Sequence, residues 1–211
     1  MFDSTPPLPG MDLSDEQPFV PEPLPDGRLA DHYLLFFALL PPPPIALQAS
    51  ALAEELRRLH RLPQRAMASE RMHITLQLVA AFKQAMPHVI VRAAIDAAAG
   101  LAPALRPTSI TFDRALSMGI APPSALALRC SAASRRAIAA LRGPLTQALR
   151  ENGLGIRQGH EPHMTLVYET DLVSEHRIEP ISWVAERLSL VLSHHGRGHH
   201  EPVNSWPLLG R

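Results

Sequence analysis

The chain has 211 residues, of which 46% are hydrophobic and 19% charged, and these proportions exclude a disordered chain and fit a globular protein. Twenty basic and twenty acidic residues leave no net charge, so any basic surface that binds nucleic acid must be local. The single Cys130 excludes an internal disulfide and a Cys-rich metal site, and no apolar run reaches the roughly 18 residues of a membrane span.

The N-terminal segment, residues 1–29, is acidic and rich in proline, without the basic start and apolar middle of a signal peptide. A segment of this composition cannot bury a core. We therefore expect a disordered arm, residues 1–29, before one domain over residues 30–211, in a cytoplasmic protein. The arm is interpreted as a solvated tail, with docking of a partner as the alternative. The preference for arginine over lysine, with much alanine, is typical of a GC-rich bacterial genome.

The first half of the domain predicts a strand, a helix and a second strand. The apolar run Tyr33–Leu40 is ended by four prolines, which cannot continue a strand ladder. Leucines then recur at helical spacing, which predicts a helix over about residues 45–60. The segment RMHITLQL, residues 71–78, predicts a strand that carries polar side chains among apolar ones.

A helix near residues 89–99 and a strand, TSITFDRAL, lie between the two halves. The second half then repeats the order of strand, helix and strand. It has a strand at Ala125–Cys130, a helix over 133–152 that Pro144 should kink or split, and a strand in PHMTLVYE, residues 162–169. Two further segments, ISWVAERLSLVL and VNSWPL, predict strands joined by SHHGRGHHEP as a hairpin loop. About seven strands and three helices indicate an α+β fold with two similar sheets facing each other.

The motif His-x-Thr-Leu occurs once in each half. His73 lies 40 residues after the start of the first strand and His163 lies 39 residues after Ser124, so the copies occupy equivalent positions. Because side chains alternate along a strand, His73, Thr75 and Gln77 should share one face, and His163, Thr165 and Val167 the same face of the second copy. If the sheets face each other, two histidines and two threonines meet in one cleft.

Two imidazoles and two hydroxyls suit the hydrolysis of a phosphodiester without a metal. A neutral imidazole accepts a proton from water while a protonated imidazole gives one to the leaving oxygen, and the ordinary imidazole pKa near 6.5 permits both forms. The hydroxyls donate hydrogen bonds to the non-bridging oxygens, where the transition state holds negative charge. The alternative is that both histidines are structural.

The paired motif resembles that of the 2H phosphoesterases, and LLFFALLPP, RMHITLQLV, EPHMTLVYE and HGRGHHEPVNSWPL resemble the 2′-5′ RNA ligase-like group of RNA 2′,3′-cyclic phosphodiesterases. The resemblance implies a bilobal, pseudo-two-fold fold with a central cleft and helices on the outside. It also implies hydrolysis of a 2′,3′-cyclic phosphate to a 2′-phosphomonoester, with a weak reverse ligase activity. His73 would be the general acid, His163 the general base, and Thr75 and Thr165 phosphate ligands.

The resemblance also implies substrate contacts, and here the chain departs from the family pattern. Phe36 falls where relatives carry an aromatic residue near the nucleotide, although core packing explains it as well. Many relatives have an arginine five positions after the second histidine, where this chain has Tyr168, which strict alternation would turn away from the cleft. Arg71, Arg129 or Arg157 would supply the missing charge unless each is simply solvated.

Two other classes of function remain open at this stage. The segment HHGRGHH crowds His194, His195, His199 and His200 together, and clustered histidines bind zinc or nickel. A noncatalytic module that binds RNA ends would keep the same fold. Because both motifs are intact, we expect the enzyme, with no cofactor, as a monomer acting on RNA or nucleotides with a 2′,3′-cyclic phosphate end.

Overall fold

The structure is a computed structural model that describes residues 32–83, 87–119, 124–156, 161–169, 171–195 and 198–210. The predicted N-terminal arm therefore lies outside the described residues. No helix in the described part of the chain is long and apolar enough to cross a membrane. The elements are β1 (His32–Leu39), α1 (Pro43–Leu59), β2 (Ile74–Phe82), α2 (His88–Leu101), β3 (Thr108–Met118), β4 (Ser124–Cys130), α3 (Ala132–Glu151), β5 (His163–Glu169), β6 (His176–Ala185), β7 (Arg187–His195) and β8 (His199–Pro207), with short 3-10 helices at Ser69–Arg71 and Ala102–Ala104.

The helices begin and end for local reasons. Helix α1 starts within the run of prolines, whose fixed backbone angle and missing N–H are tolerated in a first helical turn. Helix α3 is capped by the Ser131 hydroxyl, which accepts a hydrogen bond from the Ser134 N–H at 3.2 Å. Helix α3 continues through Pro144, so the alternative in which this proline splits the helix is wrong. Pro144 lies on the exposed face, as does Ala140, whose carbonyl loses its helical partner and can bind water instead.

In the part of the chain that the structure describes, eight strands form two antiparallel sheets of four, with the orders β2-β1-β7-β8 and β5-β4-β3-β6. The repeated units β1-α1-β2 and β4-α3-β5 occupy equivalent places in the two orders. The α+β architecture with two similar sheets is therefore confirmed, with one more strand than expected. Strands β2 and β5, which continue the two motifs, are the outer strands of their sheets and contact each other.

The helices pack across the repeat. Helix α1 contacts β5 and β6 of the second sheet, and α3 contacts β2 of the first as well as β3 and β4 of its own sheet. One continuous hydrophobic core includes Leu35, Phe37 and Leu39 of β1 together with Leu126 and Leu128 of β4. Each motif strand therefore contacts the helix of the other unit, and the core is shared between the halves.

Two predicted boundaries near the C-terminus are wrong. The segment ISWVAERLSLVL is not one strand: Glu186 separates β6 of the second sheet from β7 of the first, and its carbonyl accepts a hydrogen bond from the Leu208 N–H at 2.8 Å. The loop predicted over SHHGRGHHEP is too long, because β7 extends to His195 and β8 begins at His199. Its histidines lie in β7 and β8, where His194 pairs with His199 and Ser193 pairs with His200. A polar composition resembles that of a loop, but the ladder between β7 and β8 holds the histidines His194, His199 and His200 in extended strands.

Candidate active site

Each sheet has a core face, which packs against the helices, and a site face, which carries the motif. In the first sheet Leu35 and Phe37 belong to the shared core, whereas Phe36, Ala38 and Val191 form a separate small cluster on the site face. In the second sheet Leu126 and Leu128 lie in the core, so the residues that alternate with them, Ala125, Ala127 and Arg129, are on the site face.

The two motif histidines stand in the same local geometry. The Nδ1–H of His73 donates a hydrogen bond to the Arg71 carbonyl at 2.6 Å, and the Nδ1–H of His163 donates to the Glu161 carbonyl at 2.8 Å. In both cases the acceptor is the carbonyl two residues earlier. A carbonyl only accepts, so each neutral ring has its proton on Nδ1 and its lone pair on Nε2. This fixes the orientation of both rings and leaves Nε2 as the atom for proton transfer.

The structure brings the two histidines into one electrostatic environment. Burial is the main reason that the pKa of His73 is lowered to about 4. The positive charges of Arg71 and of a protonated His163 contribute to this shift, and the hydrogen bond to the Arg71 carbonyl opposes it. The two rings therefore interact, as expected if β2 and β5 meet at the cleft. At neutral pH His73 is neutral in the free protein, which is the form that a general base needs. The general-acid role implied by the resemblance needs the opposite form.

The leucine of the first motif is part of a β-bulge. Thr75 pairs with Ala38 but Gln77 pairs with Phe37, so Leu76 has no partner of its own on β1. Thr75 is therefore on the site face, as predicted. Gln77 is on the core face, where its Oε1 accepts a hydrogen bond from the Thr146 hydroxyl of α3 at 3.2 Å. The prediction that Gln77 shares the face of Thr75 is wrong because the bulge interrupts the alternation.

The second motif has the same bulge, at Leu166. Thr165 pairs with Ala127 and Val167 with Leu126, so Thr165 is on the site face and Val167 on the core face. The prediction that Val167 shares the face of His163 is therefore wrong for the same reason. Tyr168 pairs with Ala125 and is 54% exposed. The bulge turns Tyr168 onto the site face, the opposite of what strict alternation predicts.

An aromatic cluster supports His73. The ring centroid of His73 lies 5.0 Å from that of Phe36 and 5.0 Å from that of His200, and the Phe36 and His200 centroids are 5.7 Å apart. Phe36 is only 4% exposed, so it lies beneath the imidazole and fixes its position. Burial, with the charges of His73 and Arg71, lowers the pKa of His200 to about 3. Sequence reasoning did not place His200 beside His73, because it grouped His200 with the neighbouring histidines of the His-rich segment. The sequence alone does not show that His200 has a different orientation from them.

The three candidate arginines differ in their surroundings. Arg71 is half-buried, and its Nε is buried without a hydrogen-bond partner among the residues that the structure describes. Its charge acts on both His73 and His200.

Arg129 pairs with His163 across β4 and β5, but its guanidinium is bound by Glu161 at 2.9 Å and Glu175 at 2.8 Å. Arg157 lies outside the described residues. Arg71 is thus the cation with unused hydrogen-bonding capacity beside the site.

Comparisons with known proteins bear on the fold. No protein-family model and no curated protein sequence matches the chain. Among solved structures, it is similar to E. coli LigT complexed with NADP+, at 21% identity and a TM-score of 0.63 over 85% of this chain and 99% of that chain. TT0787 of Thermus thermophilus has 16% identity and a TM-score of 0.65 over 84% of this chain and 98% of its own. A structure described as a phosphoesterase has 21% identity and a TM-score of 0.59 over 83% and 98%. The chain therefore shares the fold of LigT.

Proposed function

We propose that the protein hydrolyses the 2′,3′-cyclic phosphate of an RNA end or a nucleotide to a 2′-phosphomonoester. The observation that carries the proposal is the pair of motif histidines, one from each half, with the same Nδ1 tether and an electrostatic interaction between their rings. Two proton-transfer groups related in this way suit attack on phosphorus from one side and departure of an oxygen from the other.

In the proposed reaction, water attacks phosphorus in line with the 3′-oxygen, and the bond from phosphorus to that oxygen breaks. His73 accepts the proton of the water through Nε2, because burial keeps this imidazole neutral in the free protein. His163 gives a proton to the departing 3′-oxygen. This exchanges the two roles that the resemblance implies. The hydroxyls of Thr75 and Thr165 donate hydrogen bonds to the non-bridging oxygens, and no metal takes part.

Arg71 and Tyr168 complete the proposed substrate site. The guanidinium of Arg71 has the charge and the hydrogen-bond donors that a phosphate oxygen accepts, and it takes the place of the arginine that the family pattern has at position 168. Tyr168 offers an exposed ring on which a nucleobase can stack. LigT of E. coli, whose fold the chain shares, has been solved with 3′-AMP and with phosphate, which supports a nucleotide phosphate as the ligand.

The experiment incubates the full chain, in EDTA, with a panel of 2′,3′-cyclic and 3′,5′-cyclic nucleotides and with an RNA oligonucleotide that ends in a 2′,3′-cyclic phosphate. We expect hydrolysis of the 2′,3′-cyclic compounds only, with the 2′-phosphomonoester as product. A 3′-phosphomonoester would contradict the proposed geometry. Tight binding of the cyclic end without turnover would instead support the noncatalytic module.

A further inference from the structure

Two different faces of the sheet carry the histidines His194, His199 and His200 of the β7–β8 hairpin. His200 is on the site face, with its ring against His73 and Phe36. His199 and Glu201, its neighbours in β8, point to the opposite face because side chains alternate along a strand. His194 pairs with His199 across the hairpin and is on that opposite face as well. The register thus separates His200 from a second group formed by His194, His199 and Glu201.

The second group has the chemistry of a metal site. The ligand atoms of His194, His199 and Glu201 all lie within 4.8 Å of one another. The Nε2 of His194 is 3.0 Å from the Oε2 of Glu201, and the rings of His194 and His199 are 5.1 Å apart. Zinc–ligand distances of about 2.0–2.2 Å put neighbouring ligands of a tetrahedron roughly 3.3–3.5 Å apart. Because His199 and Glu201 are exposed, small rotations of their side chains reach this spacing.

We propose that His194, His199 and Glu201 form a site for a divalent transition metal of the zinc class, separate from the phosphate site. A set of two imidazoles and one carboxylate binds zinc in preference to magnesium or calcium, because those two ions prefer oxygen ligands. Water fills the fourth position. The metal replaces the hydrogen bond between His194 and Glu201, so the imidazole must be deprotonated at the coordinating nitrogen and binding weakens on acidification.

The position of the ligands assigns this metal a structural role. His200 stands between the ligands His199 and Glu201 in the chain, and Gly198 takes the left-handed conformation, with φ of +67°, just before β8. A metal that joins β7 to the first residues of β8 therefore restrains the backbone on both sides of His200. Since His200 packs against His73, the bound metal holds the imidazole cluster of the phosphate site in place without touching the substrate.

The test measures zinc binding to the untagged full chain after treatment with a chelator. Competition against a chromophoric chelator should give one tightly bound equivalent of Zn²⁺, and Co²⁺ in its place should give the visible absorption of a tetrahedral site. The double variant His199→Ala/Glu201→Gln should bind at least about tenfold more weakly, since it removes two of three protein ligands. His88→Ala, which changes an exposed histidine at the start of α2, should bind as the parent does.

A second measurement follows the imidazole signals of His200 by NMR during the Zn²⁺ titration. We expect them to shift in the parent chain and not in the double variant. Equal zinc affinity of the parent and the double variant, or no saturable binding by the parent, would overturn the site. Binding with unshifted His200 signals would overturn the structural role. Both readouts are independent of hydrolysis, so they do not depend on the proposed function.

Discussion

His73 lies in an environment that the sequence does not indicate. An ordinary imidazole would put both limbs of the pH–rate profile near 6.5, whereas burial lowers the pKa of this ring to about 4. The contacts with Phe36 and His200 that produce the burial come from β1 and β8, which are distant in the sequence. The Nδ1 tether, by contrast, is local to each motif and is repeated in both.

The pH dependence of kcat/KM tests the role of His73, because this parameter reports the free enzyme. If neutral His73 is the base, kcat/KM rises with pH up to about 4, stays high, and falls again only when its partner in the pair loses its proton. The limbs belong to the coupled groups together. A steady fall of about tenfold per pH unit from pH 4 upward would instead require protonated His73 and restore it as the acid.

Arg71 is expected to bind the phosphate in place of the family arginine. Arg71→Gln removes a charge-assisted hydrogen bond worth roughly 1.5–3 kcal/mol, which lowers kcat/KM by about 10- to 100-fold. Arg71→Lys should recover part of this loss. Arg92→Gln is the matched control, since Arg92 is an exposed arginine of α2 with a side chain 79% accessible. Equal kinetics of Arg71→Gln and the control would remove Arg71 from the site.

Thr75 and Thr165 are expected to act on the transition state. Thr75→Val and Thr165→Val keep the shape of the side chain and remove the hydroxyl, which should cost roughly 1–3 kcal/mol each, mainly in kcat. Thr111→Val in β3 serves as the control, because its hydroxyl bonds Ser182 in another part of the sheet. Unchanged kcat in both motif variants would show that the threonines are structural.

At the scale of elements, the repeat of strand, helix and strand could be predicted because apolar periodicity and prolines mark it clearly. The two bulges could not, since a bulge is defined by the pairing of a strand with its neighbour. They decide the directions of Gln77, Val167 and Tyr168. The division of one predicted strand into β6 and β7 at Glu186 could not be predicted, because an apolar run has the same pattern whether its residues belong to one sheet or to two.

Tyr168 is the residue whose proposed role depends on the second bulge. Tyr168→Ala should raise KM for a cyclic nucleotide by about 5- to 100-fold, the equivalent of roughly 1–3 kcal/mol of base stacking, with little change in kcat. Tyr168→Phe keeps the ring and should resemble the parent. Leu47→Ala, which changes an exposed apolar residue of α1, should have no effect. If Tyr168→Phe raises KM as much as Tyr168→Ala does, base stacking is not the interaction that Tyr168 makes.

At the scale of the whole molecule, the motif strands of the two halves contact each other, and the halves share one core. The outer strands β2 and β5 contact each other, α1 of the first unit packs against strands of the second sheet, and α3 packs against strands of both sheets. The sequence indicates the first property through the repeated motif at nearly equal offsets. The sequence does not indicate the shared core, because an amphipathic helix shows which of its faces is buried but not which sheet covers that face.

The most direct test of this account is the kinetics of His73→Ala, His163→Ala and the double variant with a 2′,3′-cyclic phosphate in EDTA. Each single variant should lose roughly 100- to 10,000-fold in kcat, and the double variant should be scarcely worse, because the two imidazoles act as a unit. His88→Ala, an exposed histidine at the start of α2, should keep full activity. Circular dichroism should show all four variants folded. Losses that multiply in the double variant would contradict a shared two-histidine site.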